Sequence, residues 1–246
     1  MRSLLLSDLH SNREALTAVF RHVARKSLNQ LICLGDLVGY GAHPNHVLEM
    51  LRRSRRKKFI IRGNHDRVAM GTGDPSDFNN AASTAVLWTR QKLSRSNLTY
   101  LQGLPVGPFE LSDEVLLCHG SPDDEDEYVM TRPQVSRIFD SWPHRLIFFG
   151  HTHLPVVYRF QRGDLRGELI KAPFTVQLEP DCRYLINPGS VGQPRDRDWR
   201  TSFAIWDDDR NTVRFFRSEY DVGSTQEAIL EAGLPAILSS RLSTGF

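Results

Sequence analysis

The chain has 246 residues, 40% hydrophobic and 24% charged, with a formal net charge of +2: the composition of an ordinary globular protein long enough to bury a core without staples. So balanced a charge singles out no nucleic-acid, membrane or acidic partner. Three cysteines, Cys33, Cys118 and Cys182, have no paired spacing, which argues against a disulfide framework or a thiolate zinc site; "MRSLLLSDLH" breaks too early for a signal peptide and no apolar run approaches a membrane span, so a reducing, cytoplasmic setting is expected.

The first apolar run is "SLLL" (3 to 6), followed by a helical pattern over about 13 to 26, where Ser11 and Glu14 have capping-box spacing. "LICL" (31 to 34) precedes a helix over about 44 to 54. "FII" (59 to 61) precedes a helical insertion over about 76 to 101. "VLLC" (115 to 118) precedes a helix over 131 to 141, and "LIFF" (146 to 149) closes the series. Strand and helix alternating in this way predict an α/β sheet. Cys33 and Cys118 fall within these strands as small core residues.

After about residue 154 the pattern changes to short strands with turns, from "VVYRF" to "TVRFFR", which predicts a mainly antiparallel second sheet, and a last helix is expected over about 222 to 241. No linker or repeat separates the halves, so one domain spanning 1 to 246 is expected.

Each of the five early strands runs into a polar tail: "SDLH", "GD", "GNHD", "HG" and "GHTH". Five of the nine histidines, His10, His65, His119, His151 and His153, lie in these tails. Turn chemistry alone prefers Asn, Asp, Gly and Ser. Imidazoles and carboxylates gathered at the carboxyl edge of a sheet point instead to a site for transition-metal ions, with donors enough for two and Asp36 placed to bridge them.

The ordered set "DLH…GDLVGYG…GNHD…HG…GHTH" resembles the calcineurin-like metallophosphoesterase superfamily, in particular its compact bacterial and archaeal phosphodiesterase-like members, and "NPGSVGQPR" (187 to 195) resembles a later segment of those members. The resemblance implies a four-layer α/β/β/α sandwich, two mixed β-sheets flanked by helices. It implies one metal on Asp8, His10, Asp36 and His153, and a second on Asp36, Asn64, His119 and His151. His65 is then expected beside the metals, donating to phosphate or protonating the leaving oxygen, with Asp66 orienting its ring. The activity implied is hydrolysis of a phosphodiester or phosphomonoester by a metal-bridging hydroxide, on a small-molecule or nucleotide-like substrate. The metals expected are two divalent ions, manganese first, with iron, cobalt, nickel or zinc as alternatives. A phosphoprotein phosphatase and a dinucleoside polyphosphate hydrolase are the alternatives within the same chemistry, and a non-catalytic metal-binding scaffold is the alternative outside it.

One departure stands out. Many members carry G-D-x-x-D-R, whose arginine holds substrate phosphate; Gly39 and Tyr40 occupy those two places here. Arg67 or Arg195 is left to supply the positive group. Two charge runs are expected to be solvated: the basic "RRSRRKK" (52 to 58) as a helix terminus, which makes nucleic acid an unlikely partner, and the acidic "DDEDE" (123 to 127) as a loop near the metal edge.

Overall fold

Alternation along the strands decides the layering, because successive side chains of a strand leave on opposite faces. The structure, a computed structural model, describes all residues from Met1 to Phe246. Its strands are β1 (Arg2–Leu6), β2 (Gln30–Cys33), β3 (Lys57–Ile60), β4 (Phe109–Ser112), β5 (Val115–Leu117), β6 (Leu146–Phe148), β7 (Pro155–Gln161), β8 (Asp164–Leu169), β9 (Phe174–Gln177), β10 (Arg183–Pro188), β11 (Thr201–Asp207) and β12 (Thr212–Ser218). The helices are α1 (Arg13–His22), α2 (Pro44–Arg53), α3 (Asn64–Ala69), α4 (Asn80–Lys92), α5 (Arg95–Gln102), α6 (Arg132–Ser141), α7 (Val222–Glu231) and α8 (Ala236–Ser240).

Leu4 and Leu6 of β1 pack with Leu31 and Cys33 of β2 under Leu16 and Val19 of α1 and Leu48 and Leu51 of α2. Leu5 and Ile32, on the opposite face, meet Phe148 and Ile186 of the other sheet. Beyond that sheet, Ile147 and Leu185 pack under Val135 and Ile138 of α6. These three apolar seams bind helix, sheet, sheet and helix into four layers, each seam built from residues of opposite parity on the same strands.

Both sheets are six-stranded and mixed, in the orders β3-β2-β1-β11-β12-β9 and β4-β5-β6-β10-β7-β8. The expected division into an early and a late sheet is therefore wrong. β11 and β12 extend the first sheet antiparallel from β1, while β10 pairs parallel to β6 in the second. Apolar runs report that a strand is buried but not which neighbour it pairs with, and here the late strands are shared between both sheets.

Local chemistry corrects three further expectations. α1 is capped by Asn12, whose side chain accepts from Ala15 N at 3.0 Å, and not by Ser11, whose buried hydroxyl has no partner. The last helix is two, because Gly233 (φ +70°) and Pro235 end α7 before α8 begins. "NHD", read as a strand tail, opens the short helix α3, with the Asp66 side chain accepting from the Gly63 N–H before it. The basic run behaves as expected: Lys58 Nζ donates to Arg52 O and Ser54 O at 2.9 and 3.0 Å, closing the carboxyl end of α2. No helix is long and apolar enough to cross a membrane.

Candidate metal centre

The carboxyl ends of the parallel strands β1, β2, β3, β5 and β6 meet at one edge of the sandwich, where α/β sheets leave room for polar groups. The turns there are tight. Asp8, His10, Asp36, His151 and His153 all have positive φ, between 46° and 64°, a region that Asp and His tolerate better than most residues. Gly63 lets this edge close, since a Cβ on it would lie 2.2 Å from Asp36 Oδ1.

The turns bring together one atom each from Asp8, His10, Asp36 and His153, all mutually within 4.8 Å, and a second set from Asp36, His119 and His151 under the same limit. Asn64 joins the second set, its Oδ1 lying 3.2 Å from His119 Nε2. Asp36 belongs to both, with Oδ2 3.5 Å from His10 Nε2 and 3.3 Å from His119 Nε2. All seven side chains are buried.

Backbone carbonyls fix which ring nitrogen faces inward. His10 Nδ1 lies 3.2 Å from Val38 O, His153 Nδ1 2.6 Å from Gln193 O, and His119 Nδ1 2.7 Å from Leu34 O. A carbonyl accepts only, so each Nδ1 carries a proton and donates it, which turns Nε2 inward, as a lone pair on His10 and His153. His151 is reversed: its Nε2 donates to Asp126 O at 3.0 Å, leaving Nδ1 as the free donor atom. His10 Nε2 and His153 Nε2 therefore stand 3.0 Å apart, lone pair against lone pair, beside the Asp8 carboxylate, whose Oδ1 lies 3.5 Å from His153 Nε2 and whose Oδ2 has no partner. Burial holds both imidazoles well below their usual range, so no proton relieves the pair. Electron-pair donors in this arrangement fit a shared cation.

At the second set a proton does that service. Burial opposes charge on His119, yet the Asp36 and Asp8 carboxylates raise its imidazolium to about 10, and burial opposes charge on Asp36, yet the His119 imidazolium in return holds it well below the carboxylate range.

A family profile described as calcineurin-like phosphoesterase matches residues 1–155, and with them every one of these donors. The chain belongs to that family. Over 244 residues the chain is 35% identical to an uncharacterized protein of Methanocaldococcus jannaschii, across 98% of this chain and 97% of the relative. Its fold superposes on the metallophosphoesterase of Sphaerobacter thermophilus with a TM-score of 0.86 at 34% identity, covering 100% of this chain and 99% of the other. A hypothetical protein of Pyrococcus horikoshii shares the fold at a TM-score of 0.81 and 19% identity, covering 100% and 98%. Family and donor clusters together suggest divalent metal ions, and the family is one of hydrolases.

The remaining site residues divide. His65 borders the centre, its ring 4.9 Å from His10, 4.5 Å from Tyr40 and stacked on Phe78 at 4.5 Å. Gly39 explains its approach, since a Cβ there would lie 2.6 Å from His65 Nδ1. The departure from G-D-x-x-D-R thus has a local reason: Gly39 makes room for the His65 ring and Tyr40 walls it. Asp66 does not orient that ring. Its carboxylate accepts from the N–H groups of Gly63, Leu37 and Val38 at 3.0, 3.2 and 3.0 Å, while His65 Nδ1 has no partner. Its place in the sequence suggested a neighbour of the ring; as the third residue of α3 it turns back onto the "GDLVG" loop instead.

Arg67 is also not free to hold substrate, because it binds Glu125 at 2.5 Å and Asp126 at 2.8 Å. The acidic run is a solvated loop only in part: Asp123, Asp124 and Asp126 are exposed, and Glu125 and Glu127 are half-buried against arginines. Glu125 also meets Arg62, and Glu127 meets Arg137. Arg195 is half-buried and free of any carboxylate, lying 3.4 Å from the hydroxyls of both Tyr40 and Tyr128. Residues that motif reading passed over support the centre from behind. Asn187 donates to Gly150 O at 2.7 Å, and Ser190 to Asp8 O at 2.8 Å, both from the "NPGSVGQPR" segment.

Beside the centre lies a cleft of about 370 Å³, lined by Tyr40, His65, Phe78, Asn79, Tyr128 and His151 among others. Phe78 and Asn79 come from the segment leading into α4, so the helical insertion forms one wall of the cleft.

Proposed function

We propose that the protein is a dinuclear metal-dependent phosphoesterase hydrolysing a small-molecule or nucleotide-like phosphate ester. The observation that carries this reading is the pair of donor sets sharing Asp36, with imidazole lone pairs turned on one another by carbonyl locks. Asp8, His10, Asp36 and His153 would hold one ion, and Asp36, Asn64, His119 and His151 the other. Imidazole and carboxylate donors suit manganese first, then iron, cobalt, nickel or zinc. Bound there, two such ions supply Lewis acidity, acidifying water as a nucleophile and neutralising charge on the phosphoryl oxygens.

The chain's own residues do the rest. Burial pulls the His65 imidazole down to about 4, so it meets the substrate neutral and serves as an N–H donor to a phosphoryl oxygen rather than as an acid. Tyr40 and Phe78 hold its ring on two sides, which preorganises that donor. Arg195, with no carboxylate paired to it, offers positive charge to an anionic substrate beside the centre. Phe78 and Tyr128 shape the space left for the alcohol portion of the ester.

The test is hydrolysis of bis-p-nitrophenyl phosphate and p-nitrophenyl phosphate with Mn²⁺, with chelator, and with His65→Ala. Metal-dependent turnover that falls by roughly 10²-fold or more in His65→Ala supports the reading. Preference for the diester or the monoester sets the substrate class. Bound metals without turnover of either ester would favour the scaffold alternative.

A further inference from the structure

Two half-buried guanidiniums meet beside the centre without a carboxylate between them. Arg241 Nη1 donates to Gln193 Oε1 at 3.2 Å, and Arg195 Nη2 reaches the same oxygen at 3.5 Å. Arg241 Nε is buried and has no partner at all. Half-buried arginines elsewhere in this chain hold a carboxylate or a backbone carbonyl: Arg67 holds Glu125 and Asp126, Arg217 holds Asp196 and Asp198, Arg183 holds three carbonyls, and Arg62 and Arg90, whose Nε groups are likewise unpartnered, hold Glu125 and Val68 O. Two like charges sharing one neutral oxygen repel each other, and a bound anion would remove that repulsion while filling the vacant N–H groups.

The pair is held in place and is close to the chemistry. Gln193 is the residue whose carbonyl fixes His153, and Arg195 spans the Tyr40 and Tyr128 hydroxyls on the cleft wall. Arg241 opens the short turn Arg241–Ser243 after α8, and Leu238 and Leu242 pin this turn against Tyr40 and against Ala82 and Ala85 of α4. Arg197 N donates to Gly245 O at 2.9 Å, zipping the carboxyl-terminal segment to the Arg195 loop. Arg241 lies outside the residues 1–155 matched by the family profile.

We infer that Arg195 and Arg241 form an anion subsite beside the metal centre that takes a second phosphate group of the substrate. The substrate class is then an ester carrying a further phosphate near the scissile one. This rests on the phosphoesterase reading above. Guanidinium pairs suit phosphate because their planar N–H groups match its oxygens two at a time.

Calorimetry on the full-length, chelator-treated protein tests the subsite apart from catalysis. Pyrophosphate should bind at least about tenfold more tightly than orthophosphate, and Arg241→Gln should close that gap. Arg195→Gln is the second variant, should Arg241→Gln fail to fold. Equal affinity for the two anions in the unsubstituted protein overturns the inference. So does a preference that survives both substitutions, which would place binding on the basic run 52 to 58. With Mn²⁺ bound, kcat/KM should be about tenfold higher for thymidine 3′-phosphate 5′-(p-nitrophenyl phosphate) than for the ester lacking the 3′-phosphate, and Arg241→Gln should bring the two together. No turnover of either ester overturns the phosphoesterase reading, while calorimetry still decides the subsite.

Discussion

Gly39→Ala puts the local explanation of the "GDLVGYG" sequence at risk. Gly39 has φ +93°, and a Cβ on it would lie 2.6 Å from His65 Nδ1 and 3.1 Å from His65 Cγ. The left-handed backbone costs an L-residue about 1–2 kcal/mol, and forcing a methyl into a packed site costs about 1–3 kcal/mol more, so the substitution should destabilise by about 2–5 kcal/mol. In a His65→Ala background the two closest ring atoms are gone and only the Cβ of residue 65 stays near, at 3.2 Å, so the cost should fall to little more than the backbone cost of about 1–2 kcal/mol. Urea unfolding of the four metal-free proteins closes the cycle, with an expected coupling of about 1–3 kcal/mol between the sites. Turnover of Gly39→Ala should fall on the order of 10²-fold, because relief of the overlap displaces the His65 ring. An equal cost of Gly39→Ala in both backgrounds would show that the ring does not rest on Gly39 and would refute the reasoning.

Asp36→Asn should weaken both metal sites at once, by at least about 100-fold, since its Oδ2 faces both donor sets; two tightly held metals by elemental analysis would contradict the bridge. Metal binding should release protons. His119, held up to about 10 by its carboxylate neighbours against burial, is charged in the metal-free protein at pH 7 and must lose that proton to a cation, so affinity should fall about tenfold per unit as pH drops from 8 to 6. Calorimetry in two buffers of different ionisation enthalpy counts those protons, and an affinity independent of pH would speak against the assignment of His119. Asp66→Ala should cost about 3 kcal/mol or more in stability, because three N–H groups lose their acceptor; ordinary stability with slowed turnover would restore the ring-orienting role that its position in "NHD" suggested.

The site was more legible than the fold. Carboxylates and imidazoles at successive strand ends are written directly in the chain, and their grouping follows once the strands lie side by side. What supports them is carried by backbone and could not be read. The carbonyls of Leu34, Val38, Gln193 and Asp126 fix which nitrogen of each histidine faces inward, and a carbonyl leaves no trace in residue type. Pairing between strands was equally hidden, since "SFAIWD" has four consecutive apolar residues, Phe203 to Trp206, and fits either sheet; its alternation settles which residues face α1, Phe203 and Ile205, but not that β1 is its neighbour. The pairing of Arg67 with "DDEDE" was missed because the two lie far apart in sequence and only the folded edge brings them within reach.

The same edge shows where stability yields to chemistry. Asp8, His10, Asp36, His151 and His153 each occupy a backbone region that costs a non-glycine residue of order 1 kcal/mol, and glycine at any of them would relieve that strain and delete a donor. The strain persists because surrounding bonds over-determine it: Asp8 N donates to Gly35 O, His10 N to Asp36 O, and Gly150 N to His119 O, at 3.1, 2.9 and 2.8 Å. Each of these bonds ties one donor-bearing turn to the next, so the turns are held as a set and the donors cannot relax apart one at a time. Opposed lone pairs at 3.0 Å add a second unfavourable contact that a cation would convert into a favourable one. Strain and lone-pair repulsion are thus built into the metal-free fold and supported by the two sheets behind it, which is the expected pattern where a site is selected for what it binds rather than for its own stability.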